Sequence, residues 1–162
     1  MKDLTAAALR YKHGELHVLD QRKLPGEVCW QVCKHENDLV ALIQGLAIRG
    51  APLLGIAAAV WVGHCAMRGD SNDQLTNTIA LLRASRPTAV NVMNYLDRLQ
   101  KLVDSGADRF FLSDEVEAIF DEAVALCAAM SKHGATLVAQ GDSILTHCNT
   151  GSLATAGVGT AL

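Results

Sequence analysis

Three segments of the sequence set a charged or reactive side chain beside a break in the apolar pattern. The first is Ala47-Ile48-Arg49-Gly50-Ala51-Pro52. A guanidinium there can offer an anion two hydrogen bonds, and the free N–H groups of a helix opening at Pro52 add the positive end of its dipole. The same arginine could instead offset the dipole at the end of a preceding helix, and the pattern leaves both readings open. The second segment is Ser85-Arg86-Pro87-Thr88-Ala89-Val90-Asn91, again an arginine ahead of a proline and a helix start. Its plain alternative is an interhelix turn capped by Thr88, with Arg86 in water. Two arginines, each at the threshold of a small-residue helix, hint at one shared anionic ligand.

The third segment is Thr146-His147-Cys148-Asn149-Thr150-Gly151. The apolar stretch 143–148 reads as a strand, and ligands in open α/β sheets bind beyond the carboxyl ends of strands, where Cys148 would sit. A helix N-terminus close by would favour its thiolate. The alternative is a cysteine acting as a small buried hydrophobe. His147 is adjacent, yet successive strand residues point to opposite faces, so the two are not read as a nucleophile–base pair. Neither G-x-G-x-x-G nor a Walker motif is present. The five cysteines show no C-x-x-C spacing, and His13, His17, His35, His64 and His133 are scattered. No metal site and no cofactor are therefore expected.

These segments depend on the elements around them, and the apolar period changes along the chain. Ala8-Leu9-Arg10-Tyr11-Lys12 and Glu15-Leu16-His17-Val18-Leu19 flank a His13-Gly14 turn, and Glu27-Val28-Cys29-Trp30-Gln31-Val32 follows Pro25-Gly26. This predicts a small antiparallel sheet of three strands over 1–35. From Asn37 the period is near four. Asn37 or Asp38 caps a helix with Leu39, Leu42, Ile43 and Leu46 on one face, closing near Arg49-Gly50. Pro52 suits the first turn of a second helix, whose Gly55, Ala57, Ala58, Ala59 and Gly63 permit close neighbours. A third helix over 71–84 ends before Pro87, a fourth spans 88–103, and a fifth, capped by Ser113, runs to about His133. After the strand over 143–148, an Ala- and Gly-rich helix follows Gly151 and is cut off at Leu162. The expected fold is an α+β fragment: a small antiparallel β-sheet over 1–35, a helical domain over 36–140, and the first β-α step of a Rossmann-like α/β domain over 141–162.

Composition narrows the function classes. A chain of 162 residues can bury roughly 70% of its unfolded surface, and with 50% apolar and 19% charged residues it is not disordered. Seventeen acidic against 14 basic residues give a net charge of −3, without the basic excess of a nucleic-acid binder. Aromatics at 4% leave few platforms for stacked bases. Met1-Lys2-Asp3-Leu4 lacks the regions of a signal peptide, and the apolar run 51–63, which holds Pro52, is too short for a bilayer. The odd, unpaired cysteines point to a reduced, cytoplasmic protein, with Cys65 and Cys127 on core helix faces. The sequence stops at Thr160-Ala161-Leu162 inside an apolar, Gly-rich run, as a fragment would.

In this order the motifs make the chain resemble the N-terminal half of the methylthioribose-1-phosphate isomerases, the aldose–ketose isomerases of methionine salvage. The resemblance covers essentially the whole chain. It rests on Leu19-Asp20-Gln21-Arg22-Lys23-Leu24-Pro25, Ile48-Arg49-Gly50-Ala51-Pro52 with Gly55, Arg86-Pro87-Thr88-Ala89-Val90-Asn91, Asp97-Arg98 and His133-Gly134-Ala135. Its most specific part is Ile144-Leu145-Thr146-His147-Cys148-Asn149-Thr150-Gly151, continued by Leu153-Ala154-Thr155-Ala156-Gly157 and Gly159-Thr160-Ala161-Leu162. The wider superfamily also holds ribose-1,5-bisphosphate isomerases and regulatory subunits of a translation initiation factor's exchange complex. The Thr-His-Cys-Asn-Thr-Gly run points to the isomerases.

The resemblance implies that Arg49, Gly50, Ala51 and Arg86 hold a sugar phosphate and that Cys148 is the active-site cysteine. It places the partner acid, an aspartate, in a C-terminal Rossmann-like domain with no counterpart in these 162 residues, so the chain alone is expected to be inactive. The implied partner is a small-molecule sugar phosphate rather than a nucleic acid or a membrane, and the full-length protein is expected to be a homodimer. The family commonly carries an acidic residue, an Asn and a Gly where this chain has Ala123, Cys127 and Ser131, departures expected to lie away from the motifs. Other readings are an isomerase of 5-deoxyribose 1-phosphate or ribose 1,5-bisphosphate, a non-catalytic regulatory subunit, and a free-standing helical interaction module.

Overall fold

The computed structural model describes residues 1–159. It opens with one antiparallel sheet of four strands in chain order: β1 (Leu4–Thr5), β2 (Leu9–Lys12), β3 (Glu15–Leu19) and β4 (Trp30–Cys33). In the β2–β3 hairpin Leu9 pairs with Val18 and Tyr11 with Leu16, all four buried, while Arg10 and Lys12 are exposed. This is the alternation the sequence predicts. His13 (φ 52°) and Gly14 (φ 80°) supply the two positive-φ positions of a tight hairpin turn. The three-strand expectation is corrected in two respects. β1, pairing Leu4 with Tyr11 and Thr5 with Arg10, is a fourth strand too short to show a period. β4 begins at Trp30 rather than Glu27, because Leu19, its partner, ends β3; Val28 is left exposed in the connection.

Five helices follow: α1 (Glu36–Gln44), α2 (Ala51–Arg68), α3 (Asn72–Ser85), α4 (Val90–Asp104) and α5 (Arg109–Ala135). α2 is the axis of the core, covered by the sheet, α3, α4 and α5. It is eighteen residues long, longer than the run 51–63 suggests, and by length and composition alone could cross a membrane. Within this fold its residues are mostly buried by protein, and a helix covered on all sides is apolar on all sides.

Small residues set the helix spacings. A Cβ on Gly55 would lie 2.8 Å from the Asn91 carbonyl oxygen and 2.7 Å from the Tyr95 ring, so the first turn of α4 rests on the second turn of α2. At the other end Asn72 Nδ2 donates to the Val103 carbonyl at 3.2 Å, which brings the end of α4 to the turn that follows α2. α2 and α4 therefore run parallel. α5 runs the other way: Gly63 meets Val116 near its start, and Cys127, farther along, meets the loop that covers Gly50. Arg98 ties α4 to α5 through Glu115 (2.5 Å) and Glu122 (2.6 Å).

The expected helix ends hold for α3, which Ser71 and Gln74 cap reciprocally, and shift elsewhere. α1 begins before Asp38, whose carboxylate reaches back to the Lys34 and His35 N–H groups. It closes at Gly45, and Leu46 turns outward at φ 59° instead of joining the buried face. α4 starts after Ala89 rather than at Thr88. α5 starts after Asp108, which accepts from the Phe110 N–H at 2.8 Å, so Ser113 is a buried position inside the helix and not its cap.

The largest difference lies near the C-terminal end. Residues 143–148 form no strand, and Ile144 and Leu145 are 60% and 98% exposed. No strand among the described residues lies alongside them, and a strand without a neighbour has no ladder to make. After Gly151 the chain makes only a 3-10 turn, Ser152–Ala154. The remainder of the expected helix, at 160–162, lies outside the described residues. The β-α step of a Rossmann-like domain is thus not formed by residues 141–159.

Candidate functional site

Gly50 is the N-cap of α2, at φ 90° and without a side chain to cap the helix. Arg49 before it is exposed, its Nε donating to the Leu46 carbonyl at 3.3 Å. The start of α4 repeats the arrangement. Ala89 is an N-cap with no side-chain hydrogen bond, and Arg86, half-buried, closes α3 with its carbonyl accepting from the Ala89 N–H. Among the described residues no hydrogen bond or ion pair engages the Arg86 guanidinium. α3 and α5 are capped by the side chains of Ser71 and Asp108, whereas in α1 the Asp38 carboxylate accepts from the Lys34 and His35 N–H groups ahead of the helix. The helices that follow Arg49 and Arg86 thus start without an N-cap side chain. Pro52 brings no N–H to the first turn of α2 and the Val92 N–H of α4 bonds back to the Ala89 carbonyl, while first-turn N–H groups left without a partner can serve water or an anion. Because Asn91 rests on Gly55 in the parallel pair, both starts open at one end of α2.

The loop that follows Cys148 is laid over that same end. Gly151, Ala154, Thr155, Ala156 and Gly159 are buried. A Cβ on Gly50 would stand 2.5 Å from the Ala154 carbonyl oxygen, and one on Gly159 2.5 Å from the Gly151 Cα. On its far side the loop is held by α5: Cys127 Sγ lies 3.3 Å from Thr155 Oγ1, and Ser131 Oγ donates to the Gly159 carbonyl at 2.9 Å. Gly157 packs so tightly on Cys127 that a Cβ would come within 2.8 Å of it. Ala123, Cys127 and Ser131 recur at helical spacing and share one stripe. These departures from the family pattern are therefore not remote from the motifs, because two of them seat the loop directly.

Cys148 is exposed, at φ 67°, and stands at no strand end. The element after it is a three-residue turn, not a helix with a dipole to offer. No hydrogen bond joins it to His147 among the described residues. The structure thus brings the Arg49-Gly50-Ala51 segment against the loop following Cys148, and the start of α4 against α2. No hydrogen bond among the described residues links Arg49, Arg86 and Cys148 to one another.

Local patterns missed a third party, Asp20-Gln21-Arg22. Asp20 is 1% exposed, and its carboxylate accepts from Arg22 Nε at 2.7 Å and Nη2 at 2.6 Å. The adjoining guanidinium holds its pKa below the usual carboxylate value. Arg22 Nη1 extends to the Gly45 carbonyl at 3.3 Å. Between them, the Gln21 backbone N–H donates to the Ala47 carbonyl at 2.8 Å, and its side-chain Nε2 donates to the Leu153 carbonyl at 2.8 Å. The triplet directly follows a strand, which is its only local signal, and nothing in the pattern announces a partner 132 residues away.

Two surface clefts lie elsewhere. One of about 220 Å³ is lined by Glu36, Arg68, Asp70, Gln74 and Thr78, and one of about 330 Å³ by Arg22, Gln31, Asp38 and Leu42. Among the described residues no group of His, Cys, Asp or Glu could hold a metal ion.

Known proteins are similar to this chain in sequence and in fold. The Enterobacter sp. (strain 638) protein named methylthioribose-1-phosphate isomerase is 44% identical over all 162 residues, and that of Klebsiella pneumoniae is 43% identical. The chain covers 47% of each, so it spans about half the length of the curated relatives it matches. Two solved structures superpose on it at 30% identity. 5-Methylthioribose 1-phosphate isomerase from Pyrococcus horikoshii OT3 gives a TM-score of 0.84 over 96% of this chain and 47% of that one. The delta subunit of translation initiation factor eIF-2B from A. fulgidus gives 0.74 over 94% and 48%. Residues 47–161, which contain all three motifs, match the description of one family, and the chain belongs to it: the Initiation factor 2 subunit family.

Proposed function

We propose that the chain carries the phosphate-binding and thiol half of an aldose–ketose isomerase that converts 5-methylthioribose 1-phosphate to 5-methylthioribulose 1-phosphate in methionine salvage. The observation that carries this reading is the pair of arginine-led, uncapped helix starts at one end of α2, with the loop after Cys148 packed on the first through Gly50 and Ala154. An anion there would draw on guanidinium hydrogen bonds and on first-turn N–H groups together. The names of the relatives supply the sugar.

A sugar with phosphate on its anomeric oxygen cannot open through a free aldehyde. Its ring oxygen must be protonated, the bond from that oxygen to C1 broken, and hydrogen moved from C2 to C1 while the phosphate stays attached. C2 is oxidised and C1 reduced within one molecule, so the chemistry needs an acid/base pair in a sheltered site rather than an external redox partner. In this reading Arg49, Gly50, Ala51 and Arg86 bind the phosphate and Cys148 acts at C1 and C2. An aspartate from a Rossmann-like C-terminal domain acts on the ring oxygen, residues 141–162 being the beginning of that domain, after a sheet unit over 1–35 and a helical unit over 36–140. The 162 residues alone are then inactive, and the complete protein is a cytoplasmic homodimer.

The test is Cys148→Ala in the protein at its natural length. Turnover of 5-methylthioribose 1-phosphate should fall by at least about 100-fold, the scale of a lost acid/base group. Near-normal turnover would overturn the reading. Running 5-deoxyribose 1-phosphate and ribose 1,5-bisphosphate beside it assigns the sugar. The likeness to the initiation-factor subunit supports a second reading, a regulatory subunit, which nucleotide or partner-protein binding without turnover of any of the three sugars would favour.

A further inference from the structure

We propose that Gln21 is a positioning residue that couples the arginine segment to the cysteine loop, so that both act on one ligand. Its main-chain N–H is bonded to Ala47, two residues before Arg49, and its side-chain amide is bonded to Leu153, in the loop that follows Cys148. One residue thus touches the backbone of both segments, each at 2.8 Å. Its own place is fixed from both sides. Asp20 is buried and clamped by Arg22, and Arg22 in turn holds the Gly45 carbonyl, near the end of α1. The sheet end of the molecule therefore has a mechanical link to the candidate site, although none of its side chains is among the residues expected to touch a ligand.

The tie to Leu153 also completes the seating of the loop. Cys127 and Ser131 hold residues 155 and 159 from the α5 side, and Gly50 abuts Ala154 from below. Among the described residues Gln21 makes the only side-chain hydrogen bond that reaches the stretch 149–154, between exposed Cys148 and those anchors. Without it, that stretch keeps its packing on Gly50 but loses the bond that sets its height over the start of α2. The consequence is specific. The arginine segment keeps its own backbone bond to Gln21, so phosphate binding survives, while placement of the thiol relative to the bound sugar is lost.

The proposal rests on the isomerase reading for its kinetic arm and is independent of it for its structural arm. Gln21→Glu keeps the size and removes the donor; Gln21→Lys keeps a donor of similar reach. Both leave the main-chain bond to Ala47 in place. In the protein at its natural length, Gln21→Glu should lower kcat about tenfold with KM within twofold of the parent, and Gln21→Lys should recover most of the loss. In parallel, amide hydrogen exchange over 149–155 should quicken at least threefold in Gln21→Glu, with exchange in α2, α3 and α4 unchanged. An active parent whose kcat is unaffected by Gln21→Glu overturns the proposal, as does a rise in KM equal to the fall in kcat. If the parent turns over no sugar phosphate, the isomerase reading fails, and the exchange result decides the coupling: quickening supports it and unchanged exchange overturns it.

Discussion

Replacing Gly50 by alanine tests the seat on which the candidate site is built. Two costs are added there. Gly50 lies at φ 90°, a conformation that L residues avoid at about 1–3 kcal/mol. Its new methyl would also meet the Ala154 carbonyl oxygen at 2.5 Å and the Ala154 Cα at 2.6 Å, so this buried backbone must retreat by about 1 Å to reach ordinary contact. That movement pulls the Leu153 carbonyl from Gln21, a net loss of about 1 kcal/mol for a neutral hydrogen bond. The expected destabilisation is about 2–4 kcal/mol, which in a chain of this size lowers Tm by about 5–15 °C. Gly14→Ala is the control. It has nearly the same φ, 80°, but nothing within 4 Å of the added Cβ, so it carries the conformational cost without the collision. Thermal unfolding followed by circular dichroism on the two variants separates the terms. If Gly50→Ala unfolds no earlier than Gly14→Ala, the loop does not press on the start of α2, and the geometric basis of the site is wrong.

Arg86→Ala in the protein at its natural length should raise KM for the phosphorylated sugar tenfold or more, the scale of a lost charged hydrogen bond; an unchanged KM removes Arg86 from phosphate binding. Asp20→Asn should destabilise the chain by about 1–2 kcal/mol at pH 7, allowing for the half-exposed Arg22. Because the folded carboxyl titrates below its ordinary value of 3.8, its stabilisation is complete above that value and is lost as pH falls through the folded pKa. The gap between parent and variant in urea unfolding should therefore narrow below pH 4, and a constant gap refutes the pairing. His64 packs on Trp61 with centroids 5.0 Å apart and lies 3.4 Å from the Tyr11 hydroxyl, and burial, aided by Arg68, lowers its pKa from 6.5. The folded chain prefers neutral His64, so stability should decline as pH falls from 6.5 toward the folded pKa, and His64→Phe should flatten that step in Tm measured from pH 7 to 5.

Where neighbouring residues decide the structure, the sequence was legible. The β2–β3 hairpin follows from alternation around His13-Gly14, the buried α2 from its unbroken apolar run after Pro52, and α3 from Ser71 and Gln74. The three motifs were visible for the same reason, since an arginine before a helix start or a cysteine before Gly151 is a local fact. Local reasoning failed where the outcome depends on what lies alongside. Residues 143–148 have the composition of a strand, yet a strand is made by its neighbour's hydrogen bonds, and none is supplied among residues 1–159. Ser113 has the chemistry of an N-cap, but helical packing against the core carries α5 back to Asp108, which caps it instead.

The sequence by itself determined which residues could bind an anion or present a thiol, because residue type and helix chemistry are written in adjacent positions. Only the tertiary structure decided that Gly55 brings two uncapped helix starts together and that Gly50 accepts Ala154. It alone placed Gln21 of the sheet end against Leu153, and Cys127 and Ser131 beneath the loop. Those relations are contacts between backbones far apart in the chain. They arise from missing side chains at glycines and from single long-range hydrogen bonds, neither of which leaves a period in the sequence.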